Sequence, residues 1–362
     1  MTRVVLAMSG GVDSSVAAAL LQSAGYEVVG LFMRHGAQLE TACEATPSGK
    51  QTCCSAADAA DARRVADRLD IPFYVLDFQE HFARIIDYFV DEYVHARTPN
   101  PCIVCNTWLK FGKLLEYADD IGAEYVATGH YARLVDTEEG DRALLRGVDE
   151  TKDQTYALFG IDRAKLGRIL LPIGEYRKDE IRRQAEALGL SVADKPDSQE
   201  ICFIPDQDHA RFIRDHFKAT GVRQPETAGQ IVTVDGTVVG EHDGFERFTI
   251  GQRKGLRVAM GEPYFVVRIE PETHTVVIGP HESLARQELF AAETNWLIEP
   301  PEQPIEAEVK IRYRSRAVRA TVLPLEGRRV QVRLAEPCYG VSPGQAAVFY
   351  TGDRLLGGGW IE

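Results

Sequence analysis

The sequence predicts an α/β protein: a doubly wound parallel sheet over residues 1–207, a small β-rich central domain over 208–280 and a C-terminal β-barrel over 281–362. Three observations carry this. Apolar strand-like runs alternate with helical stretches up to about residue 205, as in successive strand-helix-strand units. A glycine turn, Ser9-Gly10-Gly11, stands between the first strand and the first helix, where open sheets of this class bind ligands. Beyond residue 208 the helical pattern gives way to short strands separated by turn residues.

Taken in order, Val4 to Met8 reads as a strand, Val16 to Ala24 as a helix and Val28 to Met33 as a strand. Ala56 to Leu69 is helical, Phe73 to Asp77 is a strand, and Phe82 to Val94 is an amphipathic helix. A helix near Leu109 to Asp119 and the strand Tyr125 to Thr128 follow. Residues 35–54 break the alternation and read as a long loop of the kind that covers a site. Gly229 to Gly240 holds two short strands around Asp235-Gly236, a hairpin signal. The strands Ala307 to Ile311, Ala317 to Val322, Val330 to Leu334 and Ala346 to Tyr350 alternate with turns in barrel fashion.

The 362 residues, 44% hydrophobic, suffice for several domains with a sizeable core. The chain opens without a basic segment leading into a long apolar one, and no run approaches bilayer-spanning length, so a soluble cytoplasmic protein without a membrane partner is expected. A net charge of −13 argues against non-specific coating of nucleic acid. Between Lys310 and Arg333, however, eight basic residues face one acid, Glu326, which favours a polyanionic partner for that stretch.

The stretch Met8, Ser9, Gly10, Gly11, Val12, Asp13, Ser14, Ser15 places backbone N–H groups, hydroxyls and the positive end of a helix around one turn. Gly10 and Gly11 permit close approach of a phosphate, and Asp13 is placed to hold Mg2+. Serine and aspartate are also ordinary helix caps, the plainer reading. The spacing is neither Gly-x-x-x-x-Gly-Lys-Ser/Thr nor Gly-x-Gly-x-x-Gly. It resembles the PP-loop of the ATP pyrophosphatases, which implies a Rossmann-like domain that cleaves ATP between its α and β phosphates.

Seven cysteines without a signal peptide point to catalytic or metal roles rather than a disulfide scaffold. Thr98-Pro99-Asn100-Pro101-Cys102-Ile103-Val104-Cys105-Asn106 carries a stiff Cys-x-x-Cys whose sulfurs can point to one side, and Cys202 lies in a polar segment bounded by Pro196. Cys43, Cys53 and Cys54 beside His35 lack the knuckle spacing of structural zinc, and Cys338 reads as structural.

Together with the PP-loop, Gly30-Leu31-Phe32-Met33, Thr98 to Pro101 with Cys105-Asn106, Thr128 to Ala132, Lys152 to Tyr156, Ser198 to Phe203, Thr249 to Leu256 and Ser342 to Gln345 occur in order. Over essentially the whole length the chain resembles the tRNA-specific 2-thiouridylases. The resemblance implies adenylation of the C2 oxygen of the wobble uridine, U34, followed by sulfur attack at C2 and loss of AMP. By the same resemblance Cys202 carries a persulfide, supplied by a sulfur-donor protein or a sulfide source, and Cys105 is a nucleophile that closes a disulfide with Cys202. Met33 and Gly129 are implied as ATP contacts, and Asn100, Pro101, Cys102, His130, Lys152, Asp153, Gln154, Arg312, Tyr313 and Gln345 as tRNA contacts.

Cys102 stands where many members of that family have Asp. The substitution opens an alternative in which Cys102, Cys105 and Cys202 ligate a [4Fe-4S] cluster that holds sulfide. A PP-loop small-molecule ligase and a non-enzymatic iron–sulfur RNA-binding module are the other readings of the same residues.

Overall fold

The computed structural model describes residues 1–34, 56–138, 140–197, 201–204 and 206–362. The loop expected over 35–54, with His35, Cys43, Cys53 and Cys54, lies outside the described residues.

Five described strands form the first sheet: β1 (Arg3–Ala7), β2 (Glu27–Arg34), β3 (Phe73–Asp77), β4 (Tyr125–Thr128) and β7 (Ile169–Leu170), in the order β3-β2-β1-β4-β7. All pairs are parallel. Val4, Val5 and Leu6 are wholly buried because helices cover both faces of the sheet. One face packs α1 (Val12–Ser23), α2 (Ala56–Leu69) and α6 (Lys178–Ala187) through Val16, Ala17, Ala62 and Ile181. The other packs α3 (Gln79–Val94) and α5 (Leu114–Asp120) through Phe82, Phe89 and Leu114. The order of strands reverses between β1 and β4, so the crevice for a ligand opens at the carboxyl ends of these two.

Some boundaries differ from the sequence reading. Helix α1 begins at Val12 rather than Val16, because Gly11 serves as its N-cap and Val12, Ser14 and Ser15 are already buried in the first turn. Pro101 at the first helical position and Asn100, whose side chain accepts from the Ile103 N–H at 3.3 Å, start α4 (Pro101–Val104) where a stiff loop is expected. The helix widens into a π-helix over Cys105–Lys113 before α5.

Helix α7 (His209–Thr220) leads to a second sheet of β8 (Gly229–Thr233), β9 (Val238–His242), β10 (Phe265–Glu270) and β11 (Thr275–Gly279), with the hairpin at Asp235-Gly236 as expected. The third sheet closes on itself: β12 (Ala285–Trp296), β15 (Arg329–Tyr339), β14 (Val318–Leu325), β13 (Ile305–Lys310), β16 (Ala346–Thr351) and β17 (Arg354–Ile361) run in that order, and β12 pairs with β17. A hairpin from the first region, β5 (Ala132–Asp136) and β6 (Arg142–Arg146), hangs on β17. It brings Leu144, Tyr156 and Phe159 into one apolar cluster with Ala346, Val348 and Tyr350 of the barrel.

Candidate active site

The turn after β1 is built as a cradle. Gly10 takes φ +73°, a conformation that L side chains rarely adopt, and its Cα faces the Asp58 backbone so closely that a Cβ would lie 2.9 Å from the Asp58 carbonyl carbon. No side chain caps α1. Ser14 Oγ accepts from the Ser9 N–H at 3.2 Å and lies 3.4 Å from Ser9 Oγ, so two hydroxyls face the turn. Ser14 Oγ and Ser15 Oγ both donate to the Gly11 carbonyl, at 3.3 and 2.8 Å, and both residues are buried. Gly129, just beyond β4, lies so near α1 that a Cβ would sit 2.8 Å from the Ser14 nitrogen. An uncapped helix end with hydroxyls and nearby ammonium groups fits an anion such as a nucleotide phosphate.

Two members of the predicted stretch belong to the core. Met8 is buried and its N–H donates to the Leu31 carbonyl at 2.8 Å, and Val12 packs in the cluster beneath α1. Met33 is half-buried at the end of β2.

The Asp13 carboxylate, expected to hold Mg2+, is occupied in this structure by protein groups. Lys178 Nζ donates to both of its oxygens at 2.8 Å, and Tyr131 OH donates to Oδ1 at 2.7 Å. Lys178 also pairs with Asp197 at 2.7 Å, which in turn receives Lys152 at 2.8 Å and Arg182 at 3.1 Å. Burial would raise the Asp197 carboxyl pKa, but the bonds from Lys152 and Lys178 hold it below the usual carboxylate range. Lys195 Nζ donates to the Gly10 carbonyl at 3.0 Å and pairs with Asp58 and with Asp61 at 2.7 Å. Burial works against the charge on Lys195, yet these two carboxylates raise its pKa. Sequence assigns no role to Lys178, Lys195, Tyr131 or Asp197, because the first three lie far along the chain from the turn they touch and Asp197 meets it only through Lys178.

The thiols flank one apolar cluster. Cys105 with Val104 and Trp108, and Cys202 with Ile201, pack against the same group of Phe82, Phe89 and Phe203, which Ala7 and Met33 at the ends of β1 and β2 also join. Cys102, three residues before Cys105, is exposed. Burial and then Asp153 raise the pKa of the Tyr313 phenol in the barrel. Among the described residues no group of three or more His, Cys, Asp or Glu side chains is arranged to hold a metal ion. The alternative three-cysteine cluster site is therefore not assembled among the described residues: Cys105 and Cys202 pack against the apolar cluster while Cys102 is exposed, and these residues do not fit an iron–sulfur group here.

Several residues expected to touch RNA have structural partners. Asp153 is buried and accepts from the Gly147 N–H at 3.3 Å and from Thr155 Oγ1 at 2.9 Å. Gln154 Oε1 accepts from the Tyr131 N–H at 2.8 Å. Gln345 Nε2 donates to the carbonyls of Thr98 and Pro99, both at 3.1 Å, and so pins the segment leading to Cys102 against the barrel. Arg312 Nη2 donates to the Ile250 carbonyl at 2.6 Å, which ties the barrel to the central domain. His130 is buried, 2.7 Å from Thr128 Oγ1, and burial followed by the Lys110 charge pushes its pKa well down. Tyr313 is 40% exposed, and Arg314, Arg316 and Arg319 beside it are exposed. Arg253, Lys254 and Arg257 of the central domain are exposed as well.

Comparison with known proteins follows the same three-part layout. Residues 2–206 match the tRNA methyl transferase HUP domain, 221–280 the tRNA methyl transferase PRC-barrel domain and 286–361 the aminomethyltransferase beta-barrel domain. A protein of Rhodopirellula baltica named tRNA-specific 2-thiouridylase MnmA is 52% identical, over 100% of this chain and 96% of its own length. Proteins of the same name from Solibacter usitatus and Geobacter metallireducens are 49% and 48% identical, over 99% of this chain and 99% and 96% of their own lengths. Identity near one half along the whole length, with the three domains in order, places this chain in the tRNA-specific 2-thiouridylase family.

Proposed function

We propose that this chain is an ATP-dependent tRNA sulfurtransferase that replaces the C2 oxygen of U34 with sulfur, with residues 1–207 as the ATP and catalytic domain, 208–280 as the central domain and 281–362 as the tRNA-binding barrel. One observation carries the reading above the others. The phosphate-type turn sits at the reversal point of the sheet, and Cys105 and Cys202 pack on the cluster that the ends of β1 and β2 also join.

Uracil C2 is a poor electrophile, and its oxygen is a poor leaving group until it is adenylated. The C2 oxygen attacks the α-phosphorus of ATP and pyrophosphate departs, after which Met33 and Gly129 retain the adenylate. Magnesium carried with the nucleotide would shield the phosphate oxygens, with Asp13 as its carboxylate. The terminal sulfur of a Cys202 persulfide then attacks C2, and AMP leaves with the former C2 oxygen. The Cys105 thiolate attacks the Cys202 sulfur, the electron pair of the broken S–S bond passes to the thiouracil, and a Cys105–Cys202 disulfide remains for a thiol reductant to reopen. A persulfide must be re-formed on Cys202 by a sulfur donor before the next turnover.

Exposed Tyr313 offers a stacking face, and exposed Arg253, Lys254, Arg257, Arg314 and Arg316 offer phosphate contacts. Among the described residues no helix is long and apolar enough to cross a membrane.

The test is reconstitution with tRNA, ATP, Mg2+ and a persulfide-generating sulfur source, with mass spectrometry of the tRNA nucleosides and a pyrophosphate assay. Cys105→Ala and Cys202→Ala are expected to abolish 2-thiouridine formation while tRNA affinity stays within threefold. Activity retained by either variant overturns the assigned roles. Amino-acid-dependent exchange of ATP to AMP without tRNA would favour a small-molecule ligase instead, and tRNA binding with no pyrophosphate release would favour a non-enzymatic RNA-binding module.

A further inference from the structure

We infer that Lys178 is a nucleotide-phosphate ligand, held at the turn by Asp13 and Asp197 until phosphate takes their place; the inference rests on the ATP-binding half of the reading above. Lys178 opens α6, where its own N–H donates to Asp149 Oδ2 at 3.0 Å, and its side chain is 10% exposed. The ammonium crosses to the start of α1, the positive end of that helix. A cation placed there opposes the helix dipole, and only the adjacent carboxylates make the position tolerable. Its three N–H donors are matched by Asp13 Oδ1, Asp13 Oδ2 and Asp197 Oδ1, so the ammonium is fully bonded but by oxygens that it can exchange.

The charge balance points the same way. Lys178, Lys195, Lys152 and Arg182 are matched against Asp13, Asp58, Asp61 and Asp197 around one turn. A phosphate chain arriving alone would add uncompensated negative charge beside Asp13. If it arrives with a divalent cation, Asp13 passes from the ammonium to that cation, Lys178 passes from Asp13 to phosphate oxygen, and no buried charge loses its partner. Asp197 keeps Lys152 and Arg182 when Lys178 turns, so it can give up one cation without being left bare.

The experiment is calorimetric titration of Lys178→Met and wild type with Mg2+-ATP and, separately, with adenosine, without tRNA or a sulfur source. The substitution is expected to weaken ATP by tenfold or more and to leave adenosine within twofold. A smaller loss for ATP, or an equal loss for adenosine, overturns the assignment. A measurement on the unmodified chain guards against misfolding: an acyl phosphate of ATP, whose acyl group passes to a lysine beside the terminal phosphates, should acylate Lys178, and excess ATP should suppress it. Labelling found only at other lysines overturns the inference. A chain that binds ATP through Lys178 yet leaves tRNA unthiolated sinks the proposed function alone; thiolation by Lys178→Met with unchanged ATP affinity sinks this inference alone.

Discussion

Replacing Gly10 by alanine separates a backbone penalty from a packing one, because Gly25 supplies the control. Both residues have positive φ, +73° and +85°, but an added Cβ at Gly25 meets nothing within 4 Å, whereas at Gly10 it meets the backbone of Asp58. The left-handed conformation costs an alanine about 1–2 kcal/mol at either site. At Gly10 the Asp58 carbonyl must also move, and Asp58, itself buried in the first turn of α2, is held in place by Lys195. Overpacking of this kind adds about 1–3 kcal/mol. A folding unit of this size loses about 2–4 °C per kcal/mol, so Gly10→Ala should melt several degrees below Gly25→Ala. Differential scanning calorimetry gives the two midpoints, and titration with Mg2+-ATP shows whether the turn still accepts phosphate. Gly25→Ala should bind ATP within twofold of wild type and Gly10→Ala at least tenfold more weakly. Coincident midpoints together with equal ATP affinities would refute the claim that the turn is locked against Asp58.

Two further predictions concern charge. His130 is neutral in the fold because its pKa lies well below the ordinary value of 6.5, so the unfolded chain binds a proton below that pH and the folded chain does not. Stability from this residue is complete above pH 6.5 and falls as the pH drops below it; urea titrations at pH 7.5 and 5.5 should show His130→Asn losing less than wild type, and an equal loss counts against a buried neutral imidazole. Arg253→Gln with Lys254→Gln should reduce the slope of log affinity for tRNA against log salt by about 0.7–0.9 per charge removed. Arg312→Gln should leave that slope unchanged and instead lower stability by about 1.5–3 kcal/mol, the worth of a charge-assisted bond to the Ile250 carbonyl; the opposite assignment of the two effects would show that Arg312, not the loop, meets the backbone.

Local chemistry by itself determined the parts of this protein whose signals lie close together in the chain: the strand, glycine turn and helix of residues 3–23, the Asp235-Gly236 hairpin, and the basic strands beyond Lys310. It left β17 unread, because the run Gly357, Gly358 and Gly359 lacks the side chains that mark a strand, whereas in the barrel these residues let Trp296, Phe159 and Ala292 approach. Only the tertiary structure decided that the β5–β6 hairpin belongs with the barrel, that Lys152 pairs with Asp197 and Gln154 with the Tyr131 backbone, and that Gln345 holds the segment entering the Cys102 helix. It alone brought Lys178, 165 positions away, onto Asp13. The reason is physical: hydrogen bonds between neighbouring residues leave a pattern in composition and spacing, while an ion pair across the fold is selected by the free energy of burying two charges together and leaves no mark on the residues beside either one.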